Sequence, residues 1–268
     1  VTVGPGPFVV NEAFGDLFTP DRGLGPIFNQ AACVTCHAGD GRGHPSTNLR
    51  RFGIIGGGGQ FDYMPGQGGP QLQDRAVPGY IPERLPPGIT GLSVRGGPIV
   101  VGLGLIEAIP DETILSREDP ADRDGDGISG RANFVEYPSY LVPEPGRVAR
   151  DGRYPGRFGR KATSVNLFQQ TVGAYLNDIG LTTDYLPDDL YNHEIGPLTG
   201  DAADDPEVPA RTVADVVFYL QTLRPPLRRN VDDPAVVEGE HRFTQIGCAG
   251  CHVPAMKTGP HSIGPLSQ

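Results

Sequence analysis

The chain has 268 residues, 37% of them hydrophobic, and a formal net charge of −10 at pH 7, with 32 acids against 22 lysines and arginines. That length leaves room for one large or two modest domains with a core, while the acidic balance argues against a nucleic-acid binder, whose cationic side chains must meet phosphates. There is no run of 18 apolar residues and no charged-then-apolar leader at Val1, so a soluble mature chain without a transmembrane segment is expected.

Residues 1–24 open with Gly4-Pro5-Gly6-Pro7 and continue in an amphipathic stretch containing Phe14, Leu17 and Phe18. A brief helix is expected there, leading into a second at about 25–37. The second carries Cys33-Val34-Thr35-Cys36-His37. In C-x-x-C-H, two thiols one helical turn apart can bond the vinyl groups of a haem while the next imidazole reaches its iron. Phe28, five positions before Cys33, would turn its ring to the haem edge. After His37, Gly39-Asp40-Gly41-Arg42-Gly43 can fold back over that edge where a side chain would clash. Arg42 is either a propionate partner or a solvated arginine.

Residues 53–98 read as irregular structure, with Gly56 to Gly59 consecutive and many prolines, and they include Met64, one of two methionines. Short strands are expected at Leu92-Ser93-Val94 and Pro98-Ile99-Val100-Val101. Leu103, Ile106 and Ile109 then start a helix containing Glu107.

Asp122-Arg123-Asp124-Gly125-Asp126-Gly127-Ile128 places acids at alternate positions with glycine after the third. This matches the first half of a calcium loop: three carboxylates on Asp122, Asp124 and Asp126, a glycine for the sharp turn, then the Ile128 carbonyl. Asn133 stands where an EF-hand has its bidentate glutamate, and a plain Asp/Gly surface turn is the alternative.

Val165, Phe168, Val172, Tyr175 and Ile179 recur at helical spacing up to Gly180, and Val213, Val216, Val217, Leu220 and Leu223 do so up to Pro225-Pro226. Thr212 and Asp215 could form a capping box for the second helix. From Ala162 to Ala210 there is no lysine or arginine, but there are Asp178, Asp184, Asp188, Asp189, Glu194, Asp201, Asp204, Asp205 and Glu207. This segment is either a solvated loop or a docking face for a basic redox partner. Asp233 then caps a helix with Pro234 at its first position, and that helix carries Phe243 to the second motif, Cys248-Ala249-Gly250-Cys251-His252.

A four-cysteine zinc knot would use all the thiols but leave the histidine after each pair unexplained. A redox dithiol would be expected once, beside a βαβ pattern, and a structural disulfide is the third rival. Two copies of C-x-x-C-H that use all four cysteines favour two c-type haems. Glycine and proline, at 39 and 28 residues, bring the chain to the edge of low complexity. Burying on the order of 500 Å2 of macrocycle would contribute about 12 kcal/mol towards ordering such loops. Covalent haem attachment is extracytoplasmic chemistry, so a periplasmic, secreted or surface location is expected. The free distal-ligand candidates are Met64, Met256, His44, His193, His241 and His261. Met64 is the better methionine, since Met256 lies only four residues past His252.

The chain resembles the dihaem oxidoreductase family described as putative peroxidases, relatives of bacterial dihaem cytochrome c peroxidases. The matching segments are 24–29, 71–79, 102–110, 124–131 and 156–162, together with the continuation of the second motif through Gly259. The stretch between Pro82 and Pro98 looks shorter than in the family, and only 17 residues follow Cys251, so the expectation is either a fragment or a second haem pocket completed by another segment or chain. The resemblance implies a mainly α fold of cytochrome c-like haem domains, with long Gly/Pro-rich irregular loops and few short strands. The expected division is a first haem domain over 1–228 and the start of a second over 229–268. It also implies two covalent haems, on Cys33, Cys36 and His37 and on Cys248, Cys251 and His252, with peroxide-type redox chemistry. Glu107 takes the acid/base role because the resemblance points there. Hydrogen peroxide reduction with electrons from a partner is one reading; a pure electron relay with both irons six-coordinate is the alternative.

Overall fold

The computed structural model describes residues 12–57, 60–197 and 203–267. The opening Gly4-Pro5-Gly6-Pro7, Gly58 and Gly59 of the glycine run, and Asp201 of the acidic stretch lie outside the described residues. Helix accounts for only 31% of the chain and strand for 12%, distributed over short helices and several small sheets, with irregular loops making up most of the rest. The expected mainly α, cytochrome c-like fold is therefore incorrect. Composition supplies the reason: a proline inside a helix costs about 3 kcal/mol and a glycine about 1 kcal/mol, and these residues punctuate nearly every stretch. The chain divides into two compact units, each built from two separate segments.

The first unit comprises Val1–Val100 and Leu167–Leu220. Its first segment contains β1 (Ile27–Phe28), α1 (Cys33–Cys36), β2 (Leu49–Ile55), β3 (Phe61–Asp62), β4 (Arg75–Ala76) and β5 (Gly91–Arg95). β1 pairs antiparallel with β4, Ile27 opposite Ala76 and Phe28 opposite Arg75. β2 is the central strand of a three-stranded antiparallel sheet, with β3 and β5 on its two sides. The expected strand at Leu92-Ser93-Val94 is thus β5, whereas Pro98 to Val101 forms loop and turn. The expected helix at 25–37 is helical only over the motif, because Ile27 and Phe28 are committed to β4. Phe28 accordingly stands on a strand and not on a helix.

Phe52, Met64 and Leu72 form an apolar cluster, with Ile54, Leu85 and Ile89 packed at its margin. In the second segment, a helical run starts at Leu167 and widens into a π turn at Tyr175–Ile179, which ends where Gly180 takes φ 79°. Its Leu167, Val172, Tyr175 and Ile179 are buried, as the sequence spacing requires.

The second unit comprises Val101–Asn166 and Gln221–Gln268. It contains α2 (Leu103–Glu107), α3 (Asp111–Leu115), the antiparallel pair β6 (Phe134–Val135) and β7 (Tyr154–Pro155), and, after α4 (Leu167–Ala174) and α5 (Ala210–Thr222), the helices α6 (Pro234–Gln245) and α7 (Cys248–Cys251). Val213, Val216, Val217 and Leu220 are the buried stripe of α5 within the first unit. Thr212 and Asp215 do not cap that helix. Both lie inside it, Asp215 accepts from Arg211 one turn earlier, and the Ala210 N–H is taken by Asp184 at 2.6 Å.

The buried centre of the second unit is Asp111, with a side chain fully sequestered from solvent. Arg147 Nε donates to it at 2.9 Å, the Val148 N–H at 2.8 Å, and Arg157 binds its other oxygen. Burial pushes the Asp111 carboxyl up, but these donors outweigh it and hold the group below the usual carboxylate range.

Candidate functional sites

The first C-x-x-C-H is α1 plus His37, whose backbone N–H closes the turn on the Cys33 carbonyl at 2.9 Å. Two glycines press on it. A Cβ on Gly97 would lie 3.1 Å from His37 Cε1, and one on Gly43 would lie 2.9 Å from the Cys36 carbonyl oxygen. Gly43 N–H donates to the Gly97 carbonyl at 3.0 Å, so the two backbones close on the end of the motif together. On another side of the ring stands Phe14, 3% exposed, at a ring separation of 6.1 Å. His37 Nδ1 is buried and has no hydrogen-bond partner among the described residues.

Below the motif lies a buried polar network. Gln71 and Gln73 alternate along an extended stretch, so both face the same way while Leu72 turns into the apolar cluster. Gln71 Nε2 donates to Asp178 Oδ1 at 2.7 Å, to Asn29 Oδ1 at 3.0 Å and to the Asn177 carbonyl at 3.0 Å. The N–H groups of Asn29 and Gln30 both bind the Asp178 carbonyl at 2.9 Å. Burial pushes the Asp178 carboxyl up, while Gln71 and the positive field of His37 and Arg51 pull it back. Asp178 in turn acts on both cysteines. Burial first, and then the Asp178 charge, raise Cys33 to about 12 and move Cys36 in the same direction. Such thiols stay protonated at neutral pH and make poor thiolate ligands for a metal ion.

All four cysteines are free thiols. Among the described residues, the side chains close enough to share one ion are Asp122 with Asp124 and Asp126, and Asp189 with Asp205 and Glu207, so neither group contains a cysteine. An imidazole whose Nδ1 is buried, set on the Gly97 backbone directly after two cysteines one helical turn apart, fits a haem that Cys33 and Cys36 would hold through its vinyl groups and His37 would ligate.

The second motif has different surroundings. α6 is capped by Asp233, which accepts from the Ala235 N–H at 2.8 Å, and it leads through Gly247, at φ 85°, into α7. Phe243 approaches His252 edge-on at 5.8 Å, so here the helix does bring the aromatic ring to the motif. Neither α6 nor α7 buries a residue. The aspartate loop lies against α7: a Cβ on Gly250 would fall 2.7 Å from Ile128 Cδ1 and 3.8 Å from Asp126 Oδ2. In that loop Gly127 N–H binds Asp122 and Ile128 N–H binds Asp126, and the three carboxylates converge to within 4.8 Å. Downstream, Gly259 N–H ties the chain to the Ala108 carbonyl at 2.7 Å, and Met256 is exposed.

Glu107 closes α2 and accepts from Gln221 Nε2 at 2.6 Å. The fit is close, since a Cβ on Gly104 would meet the Gln221 carbonyl at 2.1 Å. Met64 is 5% exposed in the apolar cluster with Phe52 and Leu72. The acidic stretch is of mixed use. Asp184, Asp188, Glu194 and Asp204 face solvent, whereas Glu207 binds the Thr182 N–H at 2.8 Å and, with Asp189 and Asp205, makes a second carboxylate triad. Burial raises Glu207 to about 7. Sequence reading counted Asp178 only among these acids and gave Gly97 no role; their placement depends on partners distant in the chain.

A family model described as "Di-haem oxidoreductase, putative peroxidase" matches residues 88–266, which places the chain among the haem-using oxidoreductases. The chain belongs to this di-haem oxidoreductase family. The match takes in Glu107, the aspartate loop and the second motif, and begins after the first motif. No curated protein and no solved structure matches the chain. Among the described residues, no helix is long and apolar enough to cross a membrane.

Proposed function

We propose that the protein is an extracytoplasmic c-type cytochrome with one haem on Cys33, Cys36 and His37 and another on Cys248, Cys251 and His252, and that it reduces hydrogen peroxide with electrons from a partner protein. The observation that carries this reading is the first motif, where an imidazole with a buried Nδ1 sits on the Gly97 backbone directly after two cysteines one helical turn apart. A bound haem supplies an iron that exchanges electrons singly. The remaining work falls to the chain. His37 and His252 would each ligate an iron, the four cysteines would anchor the two haems, and Glu107, oriented by Gln221, would hold and release the proton that peroxide cleavage consumes.

Asp122, Asp124 and Asp126 are proposed to bind calcium together with the Ile128 carbonyl, and the packing of that loop on Gly250 would couple the ion to the second motif. The exposed acids Asp184, Asp188, Glu194 and Asp204 would steer a basic redox partner. The first haem domain would extend over 1–228, and 229–268 would be the start of the second. The exposure of α6 and α7 supports a further segment or chain as the cover of the second haem.

The relay reading needs a strong sixth ligand on each iron. Met64, its candidate, lies in an apolar cluster that already accounts for its burial. The deciding experiment adds hydrogen peroxide to the half-reduced holoprotein and to Glu107→Gln, with an intact mass two haems above the bare chain as its precondition. Turnover that collapses in the variant supports the enzyme. Two low-spin haems that ignore peroxide in every redox state would leave a relay, and a bare-chain mass would end the haem reading. Chelation that changes neither thermal stability nor the haem spectrum would remove the calcium.

A further inference from the structure

The ring of Phe14 that faces His37 has a second neighbour. Tyr219 of α5 lies 5.4 Å from Phe14 by ring centroid, at an interplanar angle of 45°, while Phe14 lies 6.1 Å from His37 at 44°. Three rings from three distant parts of the chain thus follow one another, ending on a half-buried tyrosine. At the far end of this row, Tyr219 Oη donates to Asp40 Oδ1 at 2.7 Å. Asp40 belongs to the tight turn Ala38–Asp40 that follows the motif, and holds φ 57°, a left-handed conformation uncommon for a non-glycine residue. The backbone at this position is fixed as well, since its carbonyl accepts from the Val100 N–H at 3.3 Å.

A phenol loses an electron readily only if its proton can leave at the same time, because the protonated radical cation is a much stronger acid than the phenol. Tyr219 has a carboxylate base at hydrogen-bond distance for that purpose. Simple deprotonation is opposed: burial, and then Asp40 itself, push the hydroxyl up to about 12. The neutral, hydrogen-bonded phenol is therefore the resting form, and a path of packed rings leads from it to the imidazole of the first motif.

We infer that Tyr219 is a redox-active residue that returns an electron to the first haem by way of Phe14 and His37, while its phenolic proton crosses to Asp40. This rests on the peroxidase reading, and the oxidant is the first haem after hydrogen peroxide has withdrawn electrons from it. The step balances: the haem gains one electron, Tyr219 loses one and becomes a neutral tyrosyl radical, and Asp40 gains the proton. A one-electron donor of low potential, such as the partner's reduced centre or a phenolic or thiol reductant at the Tyr219 edge, supplies the electron and Asp40 the proton that restore the phenol.

The test is rapid-freeze electron paramagnetic resonance of the holoprotein after one equivalent of hydrogen peroxide, with and without ring-deuterated tyrosine. The expected result is an organic radical whose signal narrows on deuteration, is lost in Tyr219→Phe and falls several-fold in Asp40→Asn, while the Soret spectrum of Tyr219→Phe stays that of the parent. Tyr219→Phe keeps the ring that packs on Phe14, so a folding defect is not expected. A haem spectrum that responds to peroxide with no tyrosyl radical, or with one that survives Tyr219→Phe, overturns the relay and leaves the peroxidase reading in place. A haem that ignores peroxide defeats that reading. Flash oxidation of the haem by an external photo-oxidant then judges Tyr219 separately, and a radical absent there overturns the relay too.

Discussion

The same five-residue motif occurs twice in this chain, in opposite surroundings. At the first site Asn29, Gln71 and Phe14 are each 3% exposed, the Gly97 backbone presses on the imidazole and that of Gly43 on the Cys36 carbonyl, and Asp178 sets the charge. At the second, α6 and α7 bury nothing, and Ile246, two residues before Cys248, is 75% exposed. A short motif of this kind specifies which atoms would meet a haem, but its surroundings decide how firmly those atoms are held. The first site is pre-organised by groups brought from residues 14, 71, 97 and 178, whereas the second is held by a local helix pair whose ion pairs, Arg228 to Glu240 and Arg242 to Glu238, are largely solvated.

The comparison concerns the motifs and not the units as wholes, and Asp111 can show this. Asp111→Asn should lower the stability of the second unit by about 3–5 kcal/mol, because it leaves Arg147 and Arg157 without the carboxylate they flank. Its carboxyl titrates below the ordinary range when folded, so the stability it contributes is present above about pH 4 and lost as pH falls through the folded value. Thermal unfolding of the variant between pH 3 and 7 checks both points. A loss within 1 kcal/mol at neutral pH would mean that this unit is held elsewhere.

Gln71→Leu should come next, at about 1–3 kcal/mol, since it strips the donor from Asp178, Asn29 and the Asn177 carbonyl in a buried place. The haem spectrum should change for the first motif alone. A change of equal size in both haems would break the distinction between a pre-organised and a locally held site.

The third effect depends on pH. Burial, and then Glu194, raise Glu83 to about 7, against the Gln73 N–H that it accepts at 2.9 Å. A carboxyl raised in the folded state is stabilising while protonated. Its contribution is complete below about pH 4 and disappears as pH rises towards 7, a change on the order of 2 kcal/mol. Glu83→Gln should flatten that part of the stability profile of the first unit and leave the remaining slope to Glu207, which lies in the same range. An unchanged profile would show that Glu83 is ionised in the fold.

The smallest effect belongs to the second motif. Arg242→Ala should change stability by less than about 0.5 kcal/mol, because Arg242 and Glu238 are both mostly exposed. Urea unfolding would measure it. A loss above 1 kcal/mol would mean that α6 is covered in solution by something that makes this pair count.

Legibility followed the distance over which a residue finds its partner. Asp233 and Pro234 announced the start of α6, and Gly180 the end of the helical run from Leu167, because a cap or a positive φ depends on a few neighbouring residues. Thr212 and Asp215 looked like a cap for the same local reason. Asp184, 26 residues away, took that place once the fold brought it near.

By itself the sequence determined the local chemistry: two C-x-x-C-H motifs, the aspartate loop, and a glycine and proline content that keeps most helices short. Only the tertiary structure decided that Phe28 would stand on a strand paired with Arg75, that Asp178 would turn inward to Gln71, and that Phe14 and Tyr219 would line up behind His37. Motifs are read from adjacent residues, whose separation is fixed by bond lengths. Such meetings require closure of loops of tens to two hundred residues, and which closures win depends on how the whole chain buries its apolar surface and satisfies its buried polar groups.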